Sequence, residues 1–159
     1  MTPLAELPES TRVWVYQANK PFTSGDVPQI EDELSAFAER WISHNQALRA
    51  SAAVLFDRFV ILAVDESMAG ASGCSIDSSV HFMQELGTSY QRDLFNRMRF
   101  SFEKEGTVHT VSREEFEQLY SDGKITDDTP VFDPLVKNLS ELKATFKKRL
   151  ADSWHVRFV

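Results

Sequence analysis

The chain has 159 residues, of which 42% are hydrophobic and 12 are phenylalanine, so it can bury the core of one folded domain. Its net charge of -7 argues against a general nucleic-acid binder and against a protein that adheres to anionic membranes. No apolar run approaches the roughly 20 residues of a membrane span. The first residues lack the pattern of a signal peptide, and a single cysteine forms no internal disulfide. We therefore expect a cytoplasmic protein.

The first predicted elements are a strand, a helix and a strand hairpin. Residues 12–17 are rich in β-branched and aromatic side chains, which is typical of a strand. Apolar residues then recur at helical spacing after Asp26, which predicts an amphipathic helix. Residues 52–56 and 59–64 are two apolar runs that predict strands joined by a tight turn. The second run has no polar alternation, so we expect a central strand buried on both faces.

A second helix and a fourth strand complete this pattern. Apolar residues at helical spacing predict a helix from Ile76 that ends near Gly87, and residues 94–102 predict a strand. The order strand, helix, strand, strand, helix, strand is that of a ferredoxin-like α+β domain, in which both helices cover one face of an antiparallel sheet. We assign residues 11–104 to this core and residues 1–10 to a flexible leader.

The remaining residues, 105–159, predict a C-terminal α+β extension packed on the core, so that the chain forms one compact unit. Ser112 and Glu115 have the spacing of a capping box before a short helix, and residues 141–150 predict a last helix. Five Lys or Arg against two acids lie between residues 141 and 159. This basic run fits a docking surface, but such a run is more often a solvated helix face completed by lysine side chains.

The segment between the predicted central strand and the second helix is the strongest site candidate. Its small residues bring the only cysteine to a helix N-terminus, where backbone N–H groups favour anions and thiolates. The residues expected to bind a ligand are Ser72, Gly73, Cys74, Ser75, Ser78 and Ser79. The same segment also fits a helix start without any ligand, because Ser75 is a good helix cap and free cysteine is often buried. Both interpretations stay open at this point.

Spacing argues against three other chemistries. A P-loop needs a lysine directly after its last glycine, but Cys74 and Ser75 follow Gly73, so the chain is not expected to be a P-loop ATPase. Along a continuous helix, Cys74 and His81 are about 10 Å apart, too far for proton transfer. A catalytic base would have to come from elsewhere, with His44 or a carboxylate as candidates. His81 has Asp77 and Glu85 as possible polar partners at helical spacing, but the three cannot share one metal ion. We expect no metal site.

Two resemblances add expectations of their own. The sequences RVWVYQ at 12–17, GCSIDSSVHF at 73–82 and DSWH at 152–155 resemble a family of small uncharacterised Bacteroidetes proteins, often labelled "ABC transporter ATPase". That resemblance covers nearly the whole chain and implies no catalytic residues. The sequences TVSREEF at 110–116 and DGKI at 122–125, with DTPVF after them, are similar to GYF-like modules. This second resemblance implies peptide or protein binding by the last third of the chain.

The sequence therefore predicts a protein that binds a small anionic ligand at residues 72–79, with a reactive Cys74 and no cofactor. The alternative is a non-enzymatic interaction or adaptor protein that uses the C-terminal segment, including Trp154. A cysteine-dependent enzyme is a third option, less favoured than a non-enzymatic role. The expected partner is a small anionic ligand or a protein, with a homodimer among the options, and neither a nucleic acid nor a membrane.

Overall fold

The computed structural model describes residues 1–159 and confirms the predicted α+β class. The α-helices are α1 (Asp26–Arg40), α2 (Gly73–Tyr90), α3 (Arg113–Ser121) and α4 (Leu139–Thr145). The strands are β1 (Arg12–Gln17), β2 (Ile42–Ser43), β3 (Gln46–Ala47), β4 (Arg49–Leu55), β5 (Phe59–Asp65), β6 (Arg99–Lys104), β7 (Thr107–Ser112), β8 (Pro130–Phe132) and β9 (Lys147–Arg149). They form a β1–β5–β4 sheet, a β2–β3 hairpin and a β7–β6–β8–β9 sheet. No helix combines the length and the hydropathy of a membrane span.

Strand β5 is the centre of the first sheet and pairs antiparallel with β1 and β4. Each side chain from Phe59 to Val64 is fully buried. The even-numbered side chains pack against α1 and α2, whereas the odd-numbered ones pack against α4, β8 and Phe146. The tight turn that precedes β5 has positive φ at Phe56 (52°) and Asp57 (55°), as a tight hairpin turn requires. The predicted central strand, buried on both faces, is confirmed.

The predicted ferredoxin-like sheet is not confirmed, because its fourth strand is missing from the first sheet. The first five predicted elements are present, and α1 and α2 lie on one face of the β1–β5–β4 sheet. The strand expected at residues 94–102 begins at Arg99 as β6 and pairs with β7 and β8 instead. This pairing buries Phe100 and Phe102 against Phe116 of α3. Burial of these aromatic side chains thus outweighs completion of the first sheet.

The predicted boundaries at residues 10 and 104 fall within packed structure. Leu7 is only 4% exposed and packs with the odd-numbered side chains of β5, so residues 1–10 are not free of the core. The boundary after residue 104 separates β6 from β7, which pair along six residues each. The C-terminal segment therefore shares its sheet with β6.

Three of the four basic residues predicted on a last helix lie on strand β9, because α4 ends at Thr145, and the fourth, Lys143, lies on α4. Each of the three has an acidic partner 2.8 Å away: Lys147 pairs with Glu103, Lys148 with Asp133 and Arg149 with Asp128. The prediction of a helix over residues 141–150 is wrong beyond Thr145. These charges are paired within the chain, so they do not form an unpaired basic docking surface.

A chain of hydrogen bonds between polar side chains joins the two larger sheets. Gln17 Nε2 donates to the carbonyl of Arg99, and Ser101 Oγ donates to Gln17 Oε1, both at 2.8 Å. Thr110 Oγ1 accepts a 2.7 Å bond from Arg58 and lies 2.7 Å from Ser101 Oγ. Because Ser101 already donates its hydroxyl hydrogen to Gln17, Thr110 is the donor to Ser101. Burial lowers the pKa of Arg58. Because buried polar groups need partners, these bonds restrict how the two sheets can pack.

Replacing Ile61 with Ala tests the double burial of β5. The change removes a fully buried side chain, so we expect the free energy of unfolding to fall by about 3 kcal/mol. Met68→Ala is the matched control, because Met68 is 88% exposed, and we expect a change within about 0.5 kcal/mol. Urea unfolding of both variants gives the comparison. Equal losses in the two variants would contradict the placement of β5.

Candidate functional site

The predicted loop lines a cavity of about 420 Å³, called here the Cys74 cavity. Its walls are the end of α1, the β2–β3 hairpin and the first turns of α2. The polar side chains on these walls come from two segments about 30 positions apart in the sequence. Arg40, Ser43 and His44 belong to the first segment, and Ser72, Cys74 and Ser78 belong to the second. The structure therefore adds a second segment to the site that the sequence predicted.

Helix α2 begins with a reciprocal cap at the predicted loop. Ser72 is the N-cap, and its Oγ accepts the N–H of Ser75 at 3.2 Å. Ser75 Oγ in turn accepts the N–H of Ser72 at 2.6 Å. Neither Gly73 nor Cys74 has a hydrogen-bond partner for its N–H. Two unpaired donors therefore remain at the positive end of the helix dipole.

A tight hairpin holds the second segment against this helix end. Trp41, which follows α1, donates its indole N–H to the carbonyl of Ser75 at 2.8 Å in a buried bond. Its own carbonyl accepts the N–H of Leu48 at 3.0 Å. Between them, His44 and Asn45 turn the chain with φ of 49° and 63°. This left-handed pair is typical of a two-residue hairpin turn, and it places His44 on the same cavity as Cys74.

Ser43 is the least expected polar group of the cavity. It lines the cavity and is only 4% exposed, yet its Oγ has no hydrogen-bond partner. An unpaired buried hydroxyl costs about 1–3 kcal/mol relative to one that is bonded.

The charge around the cavity is positive. Arg40 is exposed and takes part in no ion pair or hydrogen bond, and its guanidinium lies 5.4 Å from the Phe37 ring centroid. No acidic residue lines the cavity. The nearby Glu66 accepts the N–H of Ala71 at 2.9 Å, in the loop before the helix cap. The cavity thus combines a free cation with unpaired donors, in a chain whose net charge is negative.

The predicted ligand-binding residues do not all face the cavity. Ser72, Cys74 and Ser78 line the cavity, whereas Gly73, which has an unpaired N–H, is not among the lining residues. Ser75 also lines it, but its hydroxyl is bonded within the cap. By contrast, the hydroxyl of Ser79 is buried and donates to the carbonyl of Ile76 at 2.6 Å, away from the cavity lining.

The polar residues further along α2 lie outside the cavity. Asp77 and His81 are exposed, and the ion-pair partner of His81 is Glu85, with Nε2 and Oε1 3.1 Å apart. The structure contains no group of three or more His, Cys, Asp or Glu side chains placed to hold a metal ion. Sequence reasoning missed Arg40, Ser43 and Asn45, because only the β2–β3 hairpin brings them to Cys74.

Comparison with known proteins returns no family model, no curated protein and no solved structure that matches the chain. The function therefore has to be inferred from the chain's own geometry. The Cys74 cavity and one larger cleft are two of the concave sites of the structure.

The larger cleft, of about 680 Å³, lies along β1 and is called here the β1 cleft. Its walls come from β1, α2, residues 94–97 and the C-terminal segment, and ten of its 15 residues are hydrophobic, which suits an apolar ligand surface. Trp154, the aromatic residue of the predicted C-terminal surface, is one of them. Its indole N–H donates to Asp133 at 2.9 Å and its ring stacks on His155 at 3.8 Å.

His155 is buried behind this wall. Its ring packs against Phe100, Phe116 and Trp154, and its Nδ1 lies 2.6 Å from Ser153 Oγ. Burial lowers the pKa of His155 to about 4, although the charge of Asp133 acts in the opposite direction. The imidazole is therefore neutral in the folded protein at neutral pH.

Stability should fall as the pH drops from 6.5 towards 4. In that window the unfolded chain protonates His155 and the folded chain does not, since the pKa is about 4 in the fold and 6.5 in the reference state. We expect a loss of about 3 kcal/mol from this residue. Urea unfolding at several pH values measures the loss, and His155→Gln should lack it. Identical pH dependence in the two proteins would contradict the buried neutral imidazole.

Proposed function

We propose that the protein binds a small anionic ligand, with a phosphate or carboxylate group, in the Cys74 cavity. The single observation that carries the proposal is the unpaired, buried hydroxyl of Ser43 on the wall of this cavity. A helix N-terminus alone is a common feature without a ligand. The unpaired hydroxyl of Ser43 supports the proposal of an occupant, because buried polar groups usually have a hydrogen-bond partner.

Several of the groups around the cavity are donors. The N–H groups of Gly73 and Cys74, the hydroxyl of Ser43 and the guanidinium of Arg40 all offer hydrogens. Phosphate and carboxylate oxygens accept several hydrogen bonds at once and carry the complementary charge. A cationic ligand would be repelled by the guanidinium of Arg40.

The thiol of Cys74 lies beside the proposed anion position. It is exposed and unpaired, so a ligand or an electrophilic reagent can reach it. An accessible lone thiol suits a reducing compartment, and we place the protein in the cytoplasm on that ground.

A second candidate function, a cysteine-dependent enzyme, is favoured by one observation. The hairpin places His44 on the same cavity as Cys74, although the two are 30 positions apart in the sequence. A histidine next to a cysteine is the usual pair for a thiol nucleophile and its base. In this version the bound anionic group is part of the substrate. His44→Ala separates the two functions, because it would abolish turnover and leave anion binding in place.

Alkylation of Cys74 tests the charge of the cavity directly. We compare the rates with iodoacetate, which is anionic, and iodoacetamide, which is neutral, in the wild type and in Arg40→Glu. Reversing the charge beside the thiol should lower the iodoacetate rate, relative to the iodoacetamide rate, about fivefold, since about 1 kcal/mol separates the two states. Inorganic phosphate should protect wild-type Cys74 from both reagents.

The control for this experiment is Lys20→Glu, an equal change of charge at an exposed residue outside the cavity lining. It should leave the ratio of the two rates unchanged. If Arg40→Glu behaves like the control and phosphate gives no protection, the anion site does not exist.

The variant Ser43→Ala tests the residue on which the proposal depends. The hydroxyl has no partner in the folded chain, so its removal relieves the cost of burying it unpaired and should raise the free energy of unfolding by about 1–3 kcal/mol. The protection of Cys74 by phosphate should weaken about fivefold, because one hydrogen bond to the anion is lost. Destabilisation with unchanged phosphate protection would give Ser43 a structural role and contradict the proposal.

A further inference from the structure

The outer edge of β1 is bonded at both ends and open in the middle. At the start, the N–H of Val13 donates to the carbonyl of Lys137 at 3.0 Å. Beyond the end, the N–H of Asn19 donates to the carbonyl of Asp93 at 3.1 Å. Alternate residues of a strand direct their N–H groups to the same edge, so Val15 directs its N–H and C=O to this edge as well. No segment of the chain bonds to Val15 there.

This open edge lies in the β1 cleft. Val15 is one of the lining residues, with apolar walls formed by Ile76 and Val80 of α2 and by Leu135 and Phe158 of the C-terminal segment. An apolar cleft beside an unpaired strand edge offers two kinds of contact to one ligand. The edge supplies main-chain hydrogen bonds, and the walls bury alternate side chains.

The charge of the cleft restricts the choice of ligand. The only charged lining residues are Arg97 and Arg157. Both are exposed, and neither forms an ion pair within the chain. In a chain with a net charge of -7, a cleft lined only by cations is complementary to an acidic ligand.

We propose that the β1 cleft binds an extended, acidic peptide segment of another protein, which adds as a strand to the outer edge of β1. The peptide backbone bonds to the N–H and C=O of Val15. Its apolar side chains contact the walls of the cleft, and its acidic side chains pair with Arg97 and Arg157. This site is separate from the Cys74 cavity in its residues and in its ligand.

The test starts from a display library of random octapeptides, selected on the full-length protein. Binding of the enriched peptides is then measured through tryptophan fluorescence, because Trp14 and Trp154 both line the cleft. We expect the enriched peptides to carry Asp or Glu. A copy of the best peptide with alternate backbone amides N-methylated should bind at least about tenfold more weakly, because it keeps its side chains but loses hydrogen bonds to the edge.

Two protein variants separate the backbone and charge contributions. Val15→Pro removes the N–H that faces the cleft and leaves the bonds to β5 in place, a substitution that edge strands tolerate. It should weaken peptide binding about tenfold. Arg97→Glu with Arg157→Glu should weaken it by at least about tenfold, whereas Lys143→Glu, an exposed residue outside the cleft, should have no effect.

Three results would overturn the proposal. These are a library that yields no peptide on the wild type, peptides that bind all variants equally, and tight binding of dodecanoate without binding of any peptide. The last result would make the cleft a site for a small amphiphilic acid. If Val15→Pro does not fold, the arginine variants and the N-methylated peptide still decide the question. Phosphate protection of Cys74 is measured on the same proteins, so the failure of one site is distinguishable from failure of the other.

Discussion

Strand β5 has no polar residue between Phe59 and Val64, so water is excluded from both of its faces. One face is covered by α1 and α2, and the other is covered by α4, β8 and Phe146. The C-terminal part of the chain must therefore return across the first sheet. Its return places Lys137 beside the start of β1 and leaves the edge open further along, where the β1 cleft lies.

The same constraint accounts for the Cys74 cavity. Helix α2 follows β5 directly in the chain and packs back over it beside α1. The C-terminal end of α1 and the N-terminal end of α2 consequently meet, and the bond from Trp41 to Ser75 fixes them together. The apolar side chains of both helices pack against the first sheet. The polar groups therefore lie at the helix ends that meet. Unpaired donors from Ser43, Gly73 and Cys74 collect at this junction.

Local features of this chain were predictable from sequence, and long-range partners were not. The apolar run of β5 and a serine cap of α2 depend on neighbouring residues, and the structure contains both, although the N-cap is Ser72 and not the predicted Ser75. The position of β6 depends on which sheet best buries Phe100 and Phe102, which the order of elements does not reveal. His44 and Cys74 line one cavity because of strands β2 and β3. Each of these strands has two residues, which is too short to produce a periodic pattern in the sequence.

We propose that an anion binds at the unpaired N–H groups of Gly73 and Cys74. The most direct measurement is a titration of ¹⁵N-labelled protein with inorganic phosphate at constant ionic strength, followed through the backbone amide signals. The account predicts saturable shifts of the Gly73 and Cys74 signals, and it predicts their loss in Arg40→Glu. Unmoved signals for these two amides, with small unsaturable shifts scattered over the protein surface, would contradict it.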